Sequence, residues 1–215
     1  MGNANQRTFS PDKIPLTEIG HLEAKRFAER FMNEISSTTT HPRLVVATPR
    51  IRTQQTAEPL ARGLETDLVV LPGLRDLNYL QPDKANGTTR KERNPLCAEW
   101  WRRSAENDDY VDSGSDDTVE SLNQFRARIC TSLGVLAALL RNGYVNQIIA
   151  YAHGGVIAAA ANIIQGNENW TNEWCRLGRS NPHLRNTQAV RFSLGTDGEF
   201  ALMNKADLDL FPDLS

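Results

Sequence analysis

"YAHGGVIAAA", residues 151–160, sets a histidine between a short apolar run and a glycine pair that opens an Ala-rich stretch. The run from Gln147 to Ala152 is apolar without alternation and reads as a buried strand. Gly154 to Gln165 has the Ala and Ile content of a packed helix. His153 is thereby predicted at the carboxyl end of a strand, on the turn into a helix, where open α/β sheets bind ligands. A histidine satisfied by its surroundings is the plainer reading of that residue alone. The glycines favour a site, because backbone without a Cβ lets a ligand approach closely.

A second stretch, "ATPRIRTQQTAEPLA" (47–61), repeats the arrangement. The run "RLVVAT" (43–48) predicts a short buried strand, and a helix follows from near Pro49 with Arg50 and Arg52 in its first turn. Cations are disfavoured at that end of the dipole, so a helix opening this way is suited to an anion. Arginine fits phosphate better than lysine, since its planar fork donates two bonds at once. Either arginine alone reads equally as a solvated surface residue. A third run, around 68–71, leads into "GLRDL", which puts Asp76 after a strand. Together these residues suit phosphoryl transfer: arginine neutralising phosphate charge, histidine donating to the transferring group, the acid protonating a leaving oxygen.

The rest of the chain bounds the class. The 215 residues are 40% hydrophobic with a formal net charge of −2, which suits one globular domain and gives no support for nucleic acid as a partner. No apolar run approaches a membrane span, and "MGNANQRTFS" lacks the regions of a signal peptide, so a cytoplasmic protein is expected. Cys97, Cys130 and Cys175 are odd in number and widely spaced, which argues against a disulfide framework or a zinc site. Cys130 falls in a helical apolar pattern and is expected in the core. No metal or cofactor is expected.

A helix is predicted after Thr17, with Ala24, Phe27, Ala28, Phe31 and Ile35 on its apolar face. Residues 77–117 read as an irregular insertion with a short helix through "CAEWWRRSAEN" and a solvated acidic loop, "ENDDYVDSGSDD". A long amphipathic helix is predicted from Thr118 to Arg141, with Val119, Leu122, Phe125, Ile129, Leu133, Leu136 and Leu140 inward. A hairpin, "NTQAVRFSL" and "EFALMNK" joined by "GTDG", ends the chain. The expected fold is a three-layer α/β/α arrangement with a mostly parallel sheet.

In order along the chain, these stretches resemble the histidine phosphatase superfamily, which includes cofactor-dependent phosphoglycerate mutase. "PLTEIGHLEA" is similar to P-L-T-x-x-G-x-x-Q-A, and "ATPRIRTQQTAE" to S-S-P-x-x-R-x-x-Q-T-A, which sets the phosphate-binding arginine at Arg52. "LPGLRDL" resembles L-x-E-L, with Asp76 at the glutamate position. "VESLNQFRARI" resembles G-E-S…R, "AHGGVI" resembles H-G-G, and "RNTQAV" resembles the late N-T/C strand start. The resemblance implies His153 as the second catalytic histidine, Gly154 beside the phosphate, a single domain over residues 1–215, and 77–117 as a substrate cap.

The family's R-H-G-x-x-x-x-N motif, whose histidine is the nucleophile, has no counterpart. Its last asparagine would fall on Asn3 as a phosphate ligand, which places the nucleophile and its strand upstream of Met1. His21, His41 and His183 do not follow strands and are not expected to replace it. The expected function is a phosphomonoester hydrolase acting on a phosphorylated small molecule through phosphohistidine, with the chain as given inactive. A phosphoglycerate mutase-type phosphotransferase and a non-catalytic phosphate-binding module are the alternatives. The F-T-G-W-type segment of mutases is absent from "ANQRTFSPDKIP" (4–15).

Overall fold

The computed structural model describes residues 13–35, 42–114, 116–166, 192–198 and 200–202. Helix α1 (Glu18–Ile35) opens at Thr17, whose Oγ1 accepts from the Gly20 N–H at 3.1 Å, the bond expected of an N-cap. Ala24, Phe27, Ala28 and Phe31 recur at helical spacing and are all buried. Strand β1 (Arg43–Ala47) leads to α2 (Ile51–Gly63), and β2 (Leu68–Val70) to a 3-10 turn, Pro72–Leu74. Then come α3 (Pro82–Ala85), α4 (Arg90–Glu106), α5 (Leu122–Arg141), β3 (Gln147–Tyr151) and α6 (Gly154–Ile164). Short strands β4 (Phe192–Leu194) and β5 (Phe200–Leu202) follow.

The main sheet has the order β2-β1-β3 and is parallel throughout. Its middle strand shows why no alternation marks it in the sequence. Val45 and Ala47 pack with Phe27, Phe31 and Leu60 of α1 and α2. Val46, pointing the other way, packs with Leu122, Phe125 and Val156 of α5 and α6. Both faces of β1 are therefore covered, and apolar residues are needed at every position. The result is the three-layer α/β/α arrangement that the pattern predicts. β4 and β5 pair antiparallel as a second sheet, with Phe192 opposite Leu202, so the described part of the expected hairpin is present.

Three expectations are corrected. β3 is half-buried rather than buried, with Ala150 exposed, because it is an edge: among the described residues it pairs only with β1. Cys130 is exposed, since one residue past Ile129 a helix has turned about 100° away from its inner face. The stretch 77–117 is more regular than expected. Its main helix starts at Arg90, seven residues before Cys97, where Thr89 and Glu92 form a capping box. Within the acidic loop Asp112 is buried, its carboxylate accepting from Gln81 N–H and Lys84 Nζ.

Helix α5 follows its pattern closely. Val119, Leu122, Phe125, Ile129 and Leu136 are buried, and Leu133 and Leu140 half-buried. It begins four residues later than predicted, at a capping box in which Ser121 and Gln124 each satisfy the other's backbone N–H. Ser121 is 1% exposed, so water cannot replace its hydroxyl. Ser121→Ala is expected to cost about 1 kcal/mol in urea denaturation, the usual scale for an N-cap. An unchanged midpoint would show that the cap contributes nothing. No helix among the described residues is long and apolar enough to cross a membrane.

Candidate functional site

The carboxyl ends of β1 and β3 lie side by side, with Ala47 in register with Tyr151 and the Thr48 N–H donating to the Tyr151 carbonyl at 3.2 Å. Each strand runs directly into a helix: β1 into α2 through residues 48–50, β3 into α6 through Ala152 and His153. Two helix N-termini, each with partial positive charge, therefore open on one edge of the sheet.

The turn before α2 is held by its own helix. Thr53 Oγ1 lies 2.7 Å from the Arg50 carbonyl, 3.1 Å from the Thr48 carbonyl and 2.6 Å from Thr48 Oγ1. Gln54 Nε2 donates to the Pro49 carbonyl at 2.7 Å. The carbonyls of residues 48–50 thus face the helix's first turn, which ties their negative ends down beside an opening suited to an anion. Arg50 is the N-cap residue, and Arg52 is half-buried in the first turn. Gln55, one turn on, accepts from the Leu16 N–H at 2.8 Å and so binds the approach to α1 to the same corner.

His153 is the N-cap residue of α6, its backbone extended and its carbonyl accepting from Ile157 N–H at 3.0 Å. Its Nε2 is shielded from solvent. Gly154 is exposed, and a Cβ placed there would meet open space, so no packing demand from the described residues explains the glycine. Two residues earlier, Tyr151 sets its ring edge-on to Phe27 and its hydroxyl is buried without a hydrogen-bond partner among the described residues. Burial pushes that phenol well above the ordinary tyrosine range, so it stays protonated and offers a donor.

Asp76 reaches the same corner from the loop after the 3-10 turn. Its Oδ2 lies 3.0 Å from Arg50 Nη1, and its Oδ1 accepts from the Leu77 N–H at 3.1 Å. The loop is clamped onto α5. Arg128 Nη1 donates to the carbonyls of Gly73 and Arg75, at 2.7 and 2.9 Å. The same guanidinium grips Glu120 bidentately at 3.0 and 2.5 Å, and Arg75 approaches Glu120 at 3.4 Å. The Glu120 N–H donates to the Asn78 carbonyl at 2.9 Å. Gly73 must lack a side chain here, because a Cβ would collide with Ser132 Oγ of α5.

The polypeptide after Asp76 forms an aromatic cluster. Tyr79 lies against Trp100 and Trp101, at ring distances of 5.0 and 5.9 Å, and its hydroxyl donates to Cys97 Sγ at 3.3 Å. Burial above all, with Cys97 beside it, pushes the Tyr79 phenol up. A cavity of about 230 Å³ lies beyond, lined among others by Lys84, Glu99, Trp100, Arg103 and Asp112. None of Arg52, Asp76 or His153 lines it, and its charged groups already pair with each other: Lys84 with Asp112, Arg103 with Glu99. It is separate from the corner described above.

The predicted residues Arg52 and His153 therefore stand at the openings of the helices that follow two adjacent strands, and Asp76 is tied to the first of these openings through Arg50. Asn3 lies outside the described residues, as do His41 and His183. His21 is exposed on α1. Of the basic cluster "TTRKER" (88–93), Arg93 turns back to the Thr88 carbonyl and hydroxyl. The sequence reading leaves out Arg50 as a partner of Asp76, and Glu120 with Arg128 as the clamp. The second pair had a signal: a glutamate before a helix and an arginine eight residues on, two turns along the same face.

Known proteins share this fold. A probable phosphoglycerate mutase of Enterobacter sp. (strain 638) is 27% identical over 177 residues, spanning 81% of this chain and 74% of the relative. Among solved structures, a mycobacterial glucosyl-3-phosphoglycerate phosphatase with inorganic phosphate superposes with a TM-score of 0.67 at 20% identity, over 94% and 92% of the two chains. A mutant phosphoserine phosphatase from Entamoeba histolytica in complex with phosphoserine gives 0.63 at 17% identity, over 92% and 87%. These structures share the fold. The family description "Histidine phosphatase superfamily (branch 1)" matches residues 1–189, and the chain belongs to that superfamily.

Proposed function

We propose that this chain has the fold and phosphate site of a phosphomonoester hydrolase that works through a phosphohistidine. The observation that carries the reading is the pair of helix N-termini on adjacent strands, one bearing Arg52 and the other capped by His153. Arg52 and the first-turn N–H groups of α2 would hold the phosphate, with Gly154 leaving room for it and His153 donating to its oxygens. Asn3 is assigned to the same phosphate by resemblance. The nucleophile would be the histidine of an Arg-His-Gly segment, which this sequence does not contain.

The chemistry then balances in two steps. Histidine nitrogen attacks phosphorus while the bond to the leaving oxygen breaks, and Asp76 gives that oxygen its proton. Water next attacks phosphorus, its proton passes to Asp76, and the bond to histidine breaks to release phosphate. Residues 77–117 would cap the site within a single domain, with Tyr79 next to the catalytic loop, and a phosphorylated small molecule would bind beneath. No metal or nucleic acid has a role in this reading, and the cytoplasm is its setting.

The structurally similar phosphatases and the missing F-T-G-W-type segment support hydrolysis; the relative named as a probable phosphoglycerate mutase favours transfer. The two separate in a polypeptide that carries an Arg-His-Gly segment ahead of this chain. Hydrolysis of an aryl phosphate with an acid-labile phosphoprotein is expected, and interconversion of 2- and 3-phosphoglycerate without net phosphate release would contradict it. In that protein Arg52→Ala should lose about 3 kcal/mol of transition-state stabilisation, the scale of one preorganised donor. His153→Ala should also cut turnover strongly. Near-normal hydrolysis by either variant would remove that residue from the site.

A further inference from the structure

Resting on the phosphate-site reading above, we infer that Arg50 is a positioning residue shared in turn by Asp76 and the bound phosphate. Without an anion, Arg50 pairs with the Asp76 carboxylate. When phosphate enters beside α2, the guanidinium turns to it and uncovers Oδ2, which, no longer paired with a cation, takes a proton from solvent water and passes it to the leaving oxygen.

Both oxygens of Asp76 are engaged: Oδ2 by Arg50 at 3.0 Å, Oδ1 by the Leu77 N–H. An acid that delivers a proton must present an oxygen to the leaving group. The oxygen that a side-chain movement can uncover is Oδ2, since Oδ1 is tied to backbone. The backbones on either side are fixed, Arg50 by Thr53 through its carbonyl and the Asp76 loop by Arg128. Only the arginine side chain has to move. Arg50 is well placed for this, being the N-cap residue of the helix that carries Arg52, so its guanidinium starts beside the same N-terminus. The pair is neither sealed nor in bulk water, at 12% and 26% side-chain exposure, so the exchange does not require opening the core. A phosphate dianion offers a guanidinium more negative charge, and more acceptor oxygens, than a carboxylate does.

The test is the affinity of the 215-residue chain for inorganic phosphate by isothermal titration. Arg52→Leu is the control for the site, Arg50→Leu and Asp76→Asn the probes. If Asp76 competes for Arg50, Asp76→Asn tightens phosphate about tenfold, the scale of one hydrogen bond to a charged group. In the Arg50→Leu background the same change should fall to under about twofold, a non-additivity expected only of coupled residues. A residue that merely braced the loop would not give tighter binding on losing its partner. Asp76→Asn retains Arg50, so this arm does not depend on how well Arg50→Leu folds. Weaker or unchanged phosphate binding by Asp76→Asn would overturn the exchange while loss of binding in Arg52→Leu kept the site. Parent-like binding by Arg52→Leu, or none by the parent, would instead overturn the site reading itself.

Discussion

The purified 215-residue chain is expected to release no measurable phosphate from an aryl phosphate and to form no acid-labile phosphoprotein. Covalent catalysis divides one difficult displacement into two easier ones, and it needs a nucleophile. Removing a nucleophile from a group of residues that act together costs on the order of 10⁶-fold in turnover. Arg52, Asp76 and His153 supply charge and protons, but none replaces that group. His21 is exposed on α1 and follows no strand. The fold suggests how activity could be restored. β3 pairs only with β1 among the described residues, so its other edge can accept a strand. An apolar strand added parallel there would end beside His153. A polypeptide supplying that strand with Arg-His-Gly is expected to turn over substrate. The same strand with alanine for its histidine should improve solubility, by covering an open edge, without restoring activity. Robust turnover by the 215-residue chain, abolished by His153→Ala, would show that the remaining histidine acts alone.

Arg128→Ala is expected to destabilise the fold by about 3–5 kcal/mol, the range for removing one partner of a buried ion pair. Glu120 has 7% of its side chain exposed and Arg128 19%, so water cannot take over the lost bonds. The variant would leave Glu120 with Arg75 at 3.4 Å, and the Gly73 and Arg75 carbonyls without their guanidinium donor. Because those carbonyls flank Asp76, the catalytic loop should loosen as well. Replacing both partners, Glu120→Gln with Arg128→Met, should recover part of the stability, since the one charge left over, Arg75, has 30% of its side chain in solvent. Urea denaturation measures both variants. A loss below about 1 kcal/mol for Arg128→Ala would mean that the clamp behaves as a surface ion pair.

The parts of this structure that local pattern determines were legible in the sequence. α1 and α5 declare themselves through apolar spacing and Ser or Thr caps, and β1 and β3 through short apolar runs that end at helix openings. That pattern alone puts Arg52 and His153 where strands run into helices. The parts that depend on distant partners were not legible. The length of α4 was hidden by Pro95 and by a helix whose faces are mostly exposed, although Thr89 and Glu92 already spell a capping box. Asp112 reads as one of several loop acids until Lys84 and Gln81 are brought to it across some thirty residues. Arg50 reads as one of two similar arginines. Only the turn after β2, held on α5 by Arg128, carries Asp76 to it and gives it a distinct role.

The most direct test of the phosphate site is a crystal structure of the 215-residue chain soaked with orthovanadate, which mimics a transferring phosphoryl group. The account predicts the anion at the carboxyl ends of β1 and β3, within hydrogen-bond distance of the Arg52 guanidinium, a first-turn N–H of α2 and the His153 imidazole. An anion held instead by Lys84 and Arg103 in the cavity beside α4, with the strand ends empty, would contradict it.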